Sequence, residues 1–307
     1  MIRRTRVAAC VLAGSLSLGA AMPAVSVAND GHGDHHGRHH RQICTGTLTA
    51  PGVLSGNYWG NTVINGTCVV NAGKAVVHGN LILTSGSNLI AAFGKNDVTG
   101  TGTSSLKVTG DLKVGKGATA IVGCEPNFFT CLDDPDQQVG TLSSAAKIRG
   151  DVQASGALAV LVHNSWIGGD IRQRGGGGGL TCAPDPTTAL GSHGSPTYSD
   201  YEDNTIAGDV SITGLNSCWL GFIRNKAKGD VRVAHNTMAD PDANEIVTNT
   251  VAGDLACFGN SPAVQFGDSM GSSNIVGGDA RGQCGFHVLV PNPEPSGPLT
   301  PISVPAP

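Results

Sequence analysis

A short segment with the pattern apolar, any residue, Gly, Asp, apolar recurs along most of the chain and constrains its fold more than any other feature. The clearest copy is Asn-Thr-Ile-Ala-Gly-Asp-Val-Ser-Ile at 204–212, and the frame returns at 77–83, 108–114, 148–154, 167–173, 227–233, 251–257 and 276–282. Counted from the Asp, positions −3, −1, +1 and +3 share one side of an extended strand, because successive side chains point to opposite faces. In the clearest copy they are Ile206, Gly208, Val210 and Ile212. The frame therefore predicts a β-strand with one buried side.

The spacing of the Gly-Asp steps is typical of stacked repeats. Their Asp residues, replaced by Asn in the first copy, lie at 80, 111, 151, 170, 209, 230, 254 and 279. The shorter intervals give a coil of roughly 20–25 residues, which cannot bury its apolar side alone and must stack on its neighbours. Intervals near 40 fit either two coils or one coil with a long insertion. The sequence thus predicts an all-β fold, a right-handed parallel β-helix (β-solenoid) with loop insertions along one edge.

Stacking of such coils predicts two polar columns. Asn stands at position −5 in four successive copies, at 204, 225, 249 and 274, on the buried side of the frame. We expect these amides to bond to one another and to the turn backbone. The Asp of each copy is expected to cap a turn or to lie in water. Carboxylates about 4.8 Å apart would repel one another, so either the coils offset them or cations such as calcium bind between them.

Both ends of the chain differ in composition from the repeats. Three arginines precede an apolar run over 7–21, and small residues at 26–28 suit a cleavage site, so residues 1–28 predict a secretory signal peptide. The rest divides into a His-rich disordered leader at 29–43, the solenoid domain at 44–287 and a Pro-rich disordered tail at 288–307. We therefore expect the protein to be secreted and extracellular.

Charge and hydropathy exclude two kinds of partner. The formal net charge is −4, and it falls to about −7 when the three signal-peptide arginines are removed. A chain this acidic does not suit nucleic acid, whose phosphates are bound by clustered Lys and Arg. No segment after the signal peptide has the 18 or more apolar residues of a membrane span. The sequence is compatible with self-association through the loops along one edge.

The leader contains five of the ten histidines, at His32, His35, His36, His39 and His40. Neutral imidazoles in a flexible tract can bind zinc or a similar metal. They are equally compatible with a polar leader whose metal affinity is incidental.

Eight cysteines remain after Cys10 leaves with the signal peptide, and an even number in an exported chain favours disulfides. Eight cysteines allow 105 pairings. Spacing favours four of these bonds, Cys44–Cys68, Cys124–Cys131, Cys182–Cys218 and Cys257–Cys284. The first and last would join neighbouring coils, because their partners are about one coil apart.

Three insertions interrupt the repeats, at 124–144, 175–203 and 236–245. They carry the carboxylates that a carbohydrate-active enzyme would use, namely Asp133, Asp134, Asp200, Glu202, Asp203, Asp240 and Asp242. Basic residues that could neutralise an acidic sugar stand nearby in sequence, at Lys147, Arg149, Arg172, Arg174, Arg224, Lys226, Lys228 and Arg232. Solvated positions on the coil walls explain the basic residues equally well.

The C-terminal repeats resemble a known group of proteins. The segment Asn249–Cys284 has the motifs N-x-V-x-G-D-L-x-C and N-x-V-x-G-D-A-x-G-Q-C, and it is similar to the C-terminal repeat of secreted bacterial β-solenoid proteins that have no assigned function. The Gly-Asp frame more loosely resembles bactofilin-type solenoids, although bactofilins lack a signal peptide and disulfides. Both resemblances imply right-handed parallel β-helix geometry, and neither implies catalytic residues or a cofactor.

The sequence therefore supports two alternative functions. The first is an exported, disulfide-stabilised β-solenoid with a structural or binding role toward a glycan or another cell-surface component. The alternative is a polysaccharide lyase or glycoside hydrolase of the β-helix type. An enzyme would need its carboxylates to converge about 5–10 Å apart around a cleft, whereas a scaffold would not.

Overall fold

The computed structural model describes residues 42–137, 139–265 and 271–285. The predicted signal peptide, the five leader histidines and the predicted tail lie outside these residues, so those predictions stay predictions. The first strand begins at Gln42, inside the segment predicted as leader. Among the described residues, the one helix is the short 3-10 turn Gly191–His193. No described helix is long or apolar enough to cross a membrane.

The strands, numbered β1–β28 in chain order, form three parallel ladders that we call faces A, B and C. Face A contains β1 (Gln42–Gly46), β6 (Leu81–Leu83), β9 (Leu112–Val114), β12 (Val152–Ser155), β15 (Ile171–Arg174), β18 (Val210–Thr213), β22 (Val231–Ala234), β26 (Leu255–Phe258) and β28 (Ala280–Gly282). Face B contains β2 (Gly52–Val53), β7 (Asn88–Ala91), β10 (Thr119–Val122), β13 (Ala159–His163), β16 (Tyr198–Glu202), β20 (Trp219–Ile223) and β24 (Glu245–Val247). Face C contains β3 (Gly56–Trp59), β5 (Lys74–His78), β8 (Ser105–Val108), β11 (Ala146–Ile148), β14 (Trp166–Ile167), β17 (Thr205–Ile206), β21 (Lys226–Ala227), β25 (Thr250–Val251) and β27 (Ile275–Val276). The long strand β4 (Thr62–Val69) pairs within both A and B, and β19 (Asn216–Ser217) pairs with β23 (Thr237–Met238).

One coil visits the three faces in a fixed order. The clearest repeat runs from β17 on face C through Gly208 and Asp209 into β18 on face A, and then through Gly214 toward β20 on face B. Arg224 and Asn225 lead from β20 into β21, which pairs with β17 in parallel. The predicted parallel β-solenoid is therefore confirmed, while its right-handedness stays a prediction.

The strand register shows whether each long interval between Gly-Asp steps contains one coil or two. Leu112 on β9 pairs directly with Val152 on β12, although the neighbouring Asp111 and Asp151 are 40 residues apart. Ile171 and Val210 pair in the same way across an interval of 39 residues between Asp170 and Asp209. Each long interval is thus one coil that contains an insertion, and not two coils.

The predicted alternation of buried side chains is found on faces A and C. Ile206, Val210 and Ile212 are at most 1% exposed. Face B differs, because its central strands β13, β16 and β20 are buried along their whole length. An unbroken buried strand is covered on both sides. In face B, one side meets the solenoid core and the other side meets the insertions.

The Gly-Asp step connects each coil to the next. The Asp209 Oδ1 atom accepts a hydrogen bond from the backbone N–H of Asp230 (2.9 Å), and Asp230 Oδ1 does the same for Asp254 (2.9 Å). The Asp therefore caps a turn, which was one of the two predicted roles. The turn that it caps belongs to the next coil. A Cβ atom on Gly229 would lie 2.1 Å from Asp209 Oδ1, so this position has no room for a side chain.

Basic side chains reduce the repulsion along the Asp column. Arg172 bonds to Asp151 (2.8 Å) and to Asp170, and Arg281 bonds to Asp254 (3.0 Å) and Asp279 (2.8 Å). Each arginine thus bridges two successive coils. Calcium between these carboxylates stays a prediction.

The predicted asparagine column is confirmed. The Nδ2 atom of Asn204 donates to Asn225 Oδ1 (3.0 Å), Asn225 donates to Asn249 (3.2 Å), and Asn249 donates to Asn274 (2.9 Å). A second column was not predicted from the sequence. In it, the Asn236 side chain donates a hydrogen bond to Asn260 (3.1 Å), and the Asn260 side chain donates one to Gln283 (2.9 Å).

Four disulfides are present, and they are the four that spacing favoured. Cys44–Cys68 joins the neighbouring strands β1 and β4, and Cys257–Cys284 ties β26 to the turn after β28. Cys124–Cys131 closes a loop within the first insertion, and Cys182–Cys218 ties the second insertion to the wall.

Candidate functional site

The first and second insertions meet the outer side of face B. The first insertion follows β10, whereas the second and third lead into β16 and β24. They therefore flank face B on two sides. Phe129 and Leu132 from the first insertion lie with Leu190 from the second around Ile90 and Ile121, whose side chains belong to the outer side of face B.

Three of the seven carboxylates considered for catalysis come together on this covered surface. Asp200 and Glu202 belong to strand β16, and Asp203 follows it, so they are part of the wall and not of a loop. Their alternation with Tyr201, which is fully buried in the core, places Asp200 and Glu202 on the outer side. The sequence did not reveal this strand because Tyr-Ser-Asp-Tyr-Glu at 198–202 lacks the apolar residues of the other central face B strands.

Arg224 binds these carboxylates at the end of β20. It contacts Glu202 (2.7 Å), Asp203 (2.7 Å) and, more weakly, Glu125 of the first insertion (3.5 Å). The Phe128 ring covers the guanidinium, with its centroid 3.6 Å from the Arg224 Cζ atom. We call His163, Asp200, Glu202, Asp203, Arg224 and Glu125 the ionic cluster.

His163 completes the ionic cluster from strand β13. Its Nε2 atom lies 3.1 Å from Asp200 Oδ2, and its ring stacks on Phe129 with centroids 4.1 Å apart. Burial lowers the pKa of His163 to about 4, so the ring is neutral at neutral pH.

Burial also favours the protonated forms of the carboxyl groups. It raises the pKa of Glu202 to about 8, with the Asp200 carboxylate adding to the effect. Burial raises the pKa of Asp200 to about 7, although a hydrogen bond with Glu202 and the charge of Arg224 oppose the rise. Burial raises the pKa of Glu125 as well, helped by Asp203. The cluster therefore contains more carboxyl groups than its one guanidinium can neutralise.

Three of the four remaining candidate carboxylates bond to backbone groups. Asp133 accepts hydrogen bonds from the backbone N–H groups of Gly94 (2.8 Å) and Lys95, and Asp240 accepts one from Asp242 (2.9 Å). Asp134 accepts bonds within the first insertion. Asp200 and Glu202 are only 5% and 9% exposed, so the carboxylates that do converge offer little surface to a sugar. This arrangement lacks the open cleft that the enzyme alternative needs.

An exposed surface of a different kind lies on face C. A groove of about 510 Å³ runs across strands β5, β8, β11, β14 and β17, with the corner residues Asn164 and Asp203 at its rim. At rungs about 4.8 Å apart, these five strands span roughly 19 Å. The groove therefore follows the solenoid axis.

Face C carries basic side chains that form no ion pair among the described residues, whereas Arg172 and Arg281 of face A are paired with Asp residues. Outward positions hold six cations, which we call the cationic strip: Lys74, Lys107, Lys147, Arg149, Lys226 and Lys228. Lys107, Lys147 and Trp166 occupy successive rungs of one column, because Lys107 pairs with Lys147 and Lys147 with Trp166. The strands of face C contain no Asp or Glu, and no cation of the strip has a carboxylate partner among the described residues.

Trp166 provides an aromatic surface within the groove. Its side chain is 37% exposed, and Lys147 Nζ lies 4.8 Å from the ring centroid. The ring lies over Gly168, where an added Cβ would be 2.7 Å from the indole Cη2 atom. Glycine at 168 therefore allows the indole to lie against the sheet.

Some of these residues were candidates from the sequence and others were not. Lys147, Arg149, Lys226 and Lys228 were among the basic residues considered for an acidic sugar. Arg224 was considered with them, and the structure pairs it with the carboxylates of the ionic cluster. Lys74, Lys107 and Trp166 were missed. The sequence contains a signal for Lys107 and Lys147, because each stands between two apolar residues, which the structure buries within a short strand.

Comparison with known proteins adds no family or fold relative, since no protein-family model, curated protein or solved structure matches the chain.

Proposed function

We propose that the protein is an exported, disulfide-stabilised β-solenoid that binds an acidic polysaccharide along face C. The observation that carries this proposal is the cationic strip, which has no carboxylate partners in the described part of the chain and of which Lys74, Lys107 and Lys147 line an exposed groove beside Trp166. The four disulfides support an extracellular location, where such polysaccharides occur.

The separation of charge supports an anionic ligand. The chain as a whole has a formal net charge of −4, yet the outward positions of face C are cationic. Cations that are left unpaired on one surface of an acidic protein create a local positive potential that attracts anions. The shape of the groove favours an extended molecule, because the lysines repeat along the solenoid axis.

A polysaccharide fits this surface better than a nucleic acid. Double-stranded DNA has one charge per roughly 1.7 Å of axis, so the acidic remainder of the protein would repel it strongly. An acidic polysaccharide has at most a few charges per sugar and presents C–H groups that can pack on an indole face. Trp166 therefore gives the sugar a contact beyond charge.

The experiment is a binding titration of the mature protein with polygalacturonate, a linear carboxylated polysaccharide, at low and physiological salt. We expect binding that weakens as salt rises. The double substitution Lys107→Ala/Lys147→Ala should weaken it about fivefold or more, because two surface ion contacts are lost. Trp166→Ala should weaken it by a similar factor.

Three controls make the result specific. Lys116→Ala removes an exposed lysine that does not belong to the cationic strip, and it should bind like the parent. Neutral dextran should not bind. The proposal is wrong if the face C variants bind polygalacturonate as the parent does, or if single-stranded DNA binds more tightly than the polysaccharide.

A further inference from the structure

His163, Asp200 and Glu202 of the ionic cluster form a compact set of metal-ligand atoms. His163 on β13 is in register with Glu202 on β16, and Asp200 precedes Glu202 by two positions on the same side of that strand. One potential ligand atom from each of the three residues lies within 4.8 Å of the others. The parallel register, and not a flexible loop, therefore fixes their separation.

Two polar atoms of this trio lack a hydrogen-bond partner. They are His163 Nδ1 and Asp200 Oδ1, and both are buried. His163 is 0% exposed and Asp200 is 5% exposed, so bulk water does not compensate them. A buried donor or acceptor without a partner is costly and usually has a specific reason.

Arg224, the arginine of the ionic cluster, leaves Asp200 without an ion pair to a guanidinium in the described structure. It bonds to Glu202, Asp203 and Glu125. Asp200 and Glu202 lie two positions apart on strand β16, and a carboxyl oxygen of one lies within 4.8 Å of a carboxyl oxygen of the other. Two carboxyl groups share a site more readily when a cation or a proton lies between them.

We propose that His163, Asp200 and Glu202 bind one divalent transition-metal ion, with Zn²⁺ as the ion that best fits their donor atoms. One imidazole nitrogen with carboxylate oxygens is a mixed donor set that suits such ions better than Ca²⁺, which prefers oxygen alone. Zinc ligands at about 2.0–2.2 Å from the ion lie roughly 3–3.5 Å from one another. The 3.1 Å between His163 Nε2 and Asp200 Oδ2 has this size, and the unpartnered Asp200 Oδ1 is the second oxygen of the same carboxylate.

The first insertion covers the site. Phe129 stacks on His163, Phe128 covers Arg224, and the Cys124–Cys131 disulfide closes the loop that carries both rings. The metal would therefore hold β13 and β16 together beneath the first insertion, and its binding would stabilise the folded state.

The test uses the mature chain with His32, His35, His36, His39 and His40 all replaced by Ala, because the leader could bind zinc independently. The chelator-treated protein is titrated with Zn²⁺ by calorimetry, and its thermal unfolding is followed with and without Zn²⁺. We expect saturable binding of one equivalent and a Tm increase of about 2 °C or more. Asp200→Asn should weaken binding at least about tenfold.

Two further variants keep the test decisive. His163→Gln removes the nitrogen ligand and should weaken Zn²⁺ binding as Asp200→Asn does. It serves as the test variant if Asp200→Asn does not fold. Asp136→Asn changes an exposed carboxylate of the first insertion and should bind like the parent. The proposal is overturned by absence of saturable Zn²⁺ binding, by equal binding in the ligand variants and the parent, or by a preference for Ca²⁺.

Discussion

At the scale of single residues, one oxygen atom explains the glycine of the Gly-Asp step. Cβ atoms added to Gly208, Gly229 or Gly253 would lie 2.0–2.2 Å from the Oδ1 atom of the preceding coil's Asp. That oxygen accepts a hydrogen bond from the backbone N–H of the Asp in the next coil. The Asp of a step therefore contacts the following coil, whereas its Gly leaves room for the Asp of the preceding coil. Asn80 can replace Asp in the first copy because the amide oxygen accepts the same bond.

The asparagine column predicts a large cost for a small truncation. Asn225 accepts from the Asn204 backbone (3.1 Å) and donates to the Tyr201 carbonyl (2.7 Å), and it is fully buried. Asn225→Ala should lower the free energy of unfolding by about 2–4 kcal/mol, because buried partners lose their bonds. Chemical denaturation measures this change. Asn216→Ala, at an exposed asparagine, should change it by less than about 0.5 kcal/mol, and equal effects would contradict the explanation.

At the scale of elements, the insertions are ordered by bonds that the repeat pattern does not encode. Asp134 in the first insertion is 2% exposed and accepts hydrogen bonds from the backbone N–H groups of Asp136, Thr141 and Leu142. Burial alone would raise its pKa, but these bonds and the Thr141 hydroxyl outweigh burial and lower the pKa to about 2.

This shift predicts a pH-dependent contribution to stability. The folded pKa of Asp134 lies below its unfolded value, so the stabilisation is present above about pH 4 and is lost as the pH falls toward 2. Asp134→Asn should lower the free energy of unfolding by about 1–3 kcal/mol at pH 6. The difference from the parent should shrink below pH 4 in denaturation curves.

The exposed neighbour Asp136 supplies the control for that experiment. Asp136→Asn should leave the unfolding free energy close to that of the parent at pH 6, because the side chain lies in solvent. A constant difference between the parent and Asp134→Asn across the whole pH range would contradict the assigned role of Asp134.

At the scale of the whole molecule, each coil is stabilised mainly by its two neighbours. Val231 pairs with both Val210 and Leu255, at equivalent positions of three successive coils. Removal of one complete coil would therefore bring two similar surfaces into contact.

Deletion of residues 231–254 tests this property, because it removes 24 residues, the length of the step from Asp230 to Asp254 and therefore of one coil. Leu255 would then follow Asp230 and pair with Val210. We expect the shortened protein to retain its β-sheet circular dichroism and to unfold in one transition at a lower Tm. Deletion of 231–242 alone should abolish cooperative unfolding, because it shifts the register of every later strand. Equal behaviour of the two deletions would refute the stacking account.

The sequence by itself determined the features that repeat with the coil. Alternating apolar residues and regularly spaced Gly-Asp steps were sufficient to predict the parallel solenoid, the column from Asn204 to Asn274 and the disulfides Cys44–Cys68 and Cys257–Cys284, since spacing along the chain indicates position along the stack. Only the tertiary structure decided which charged side chains meet. Glu125 reaches Arg224 across 99 residues, and Asp200 is buried in a wall instead of exposed in a loop. Insertions obey no period, so their contacts depend on how each loop folds back over face B.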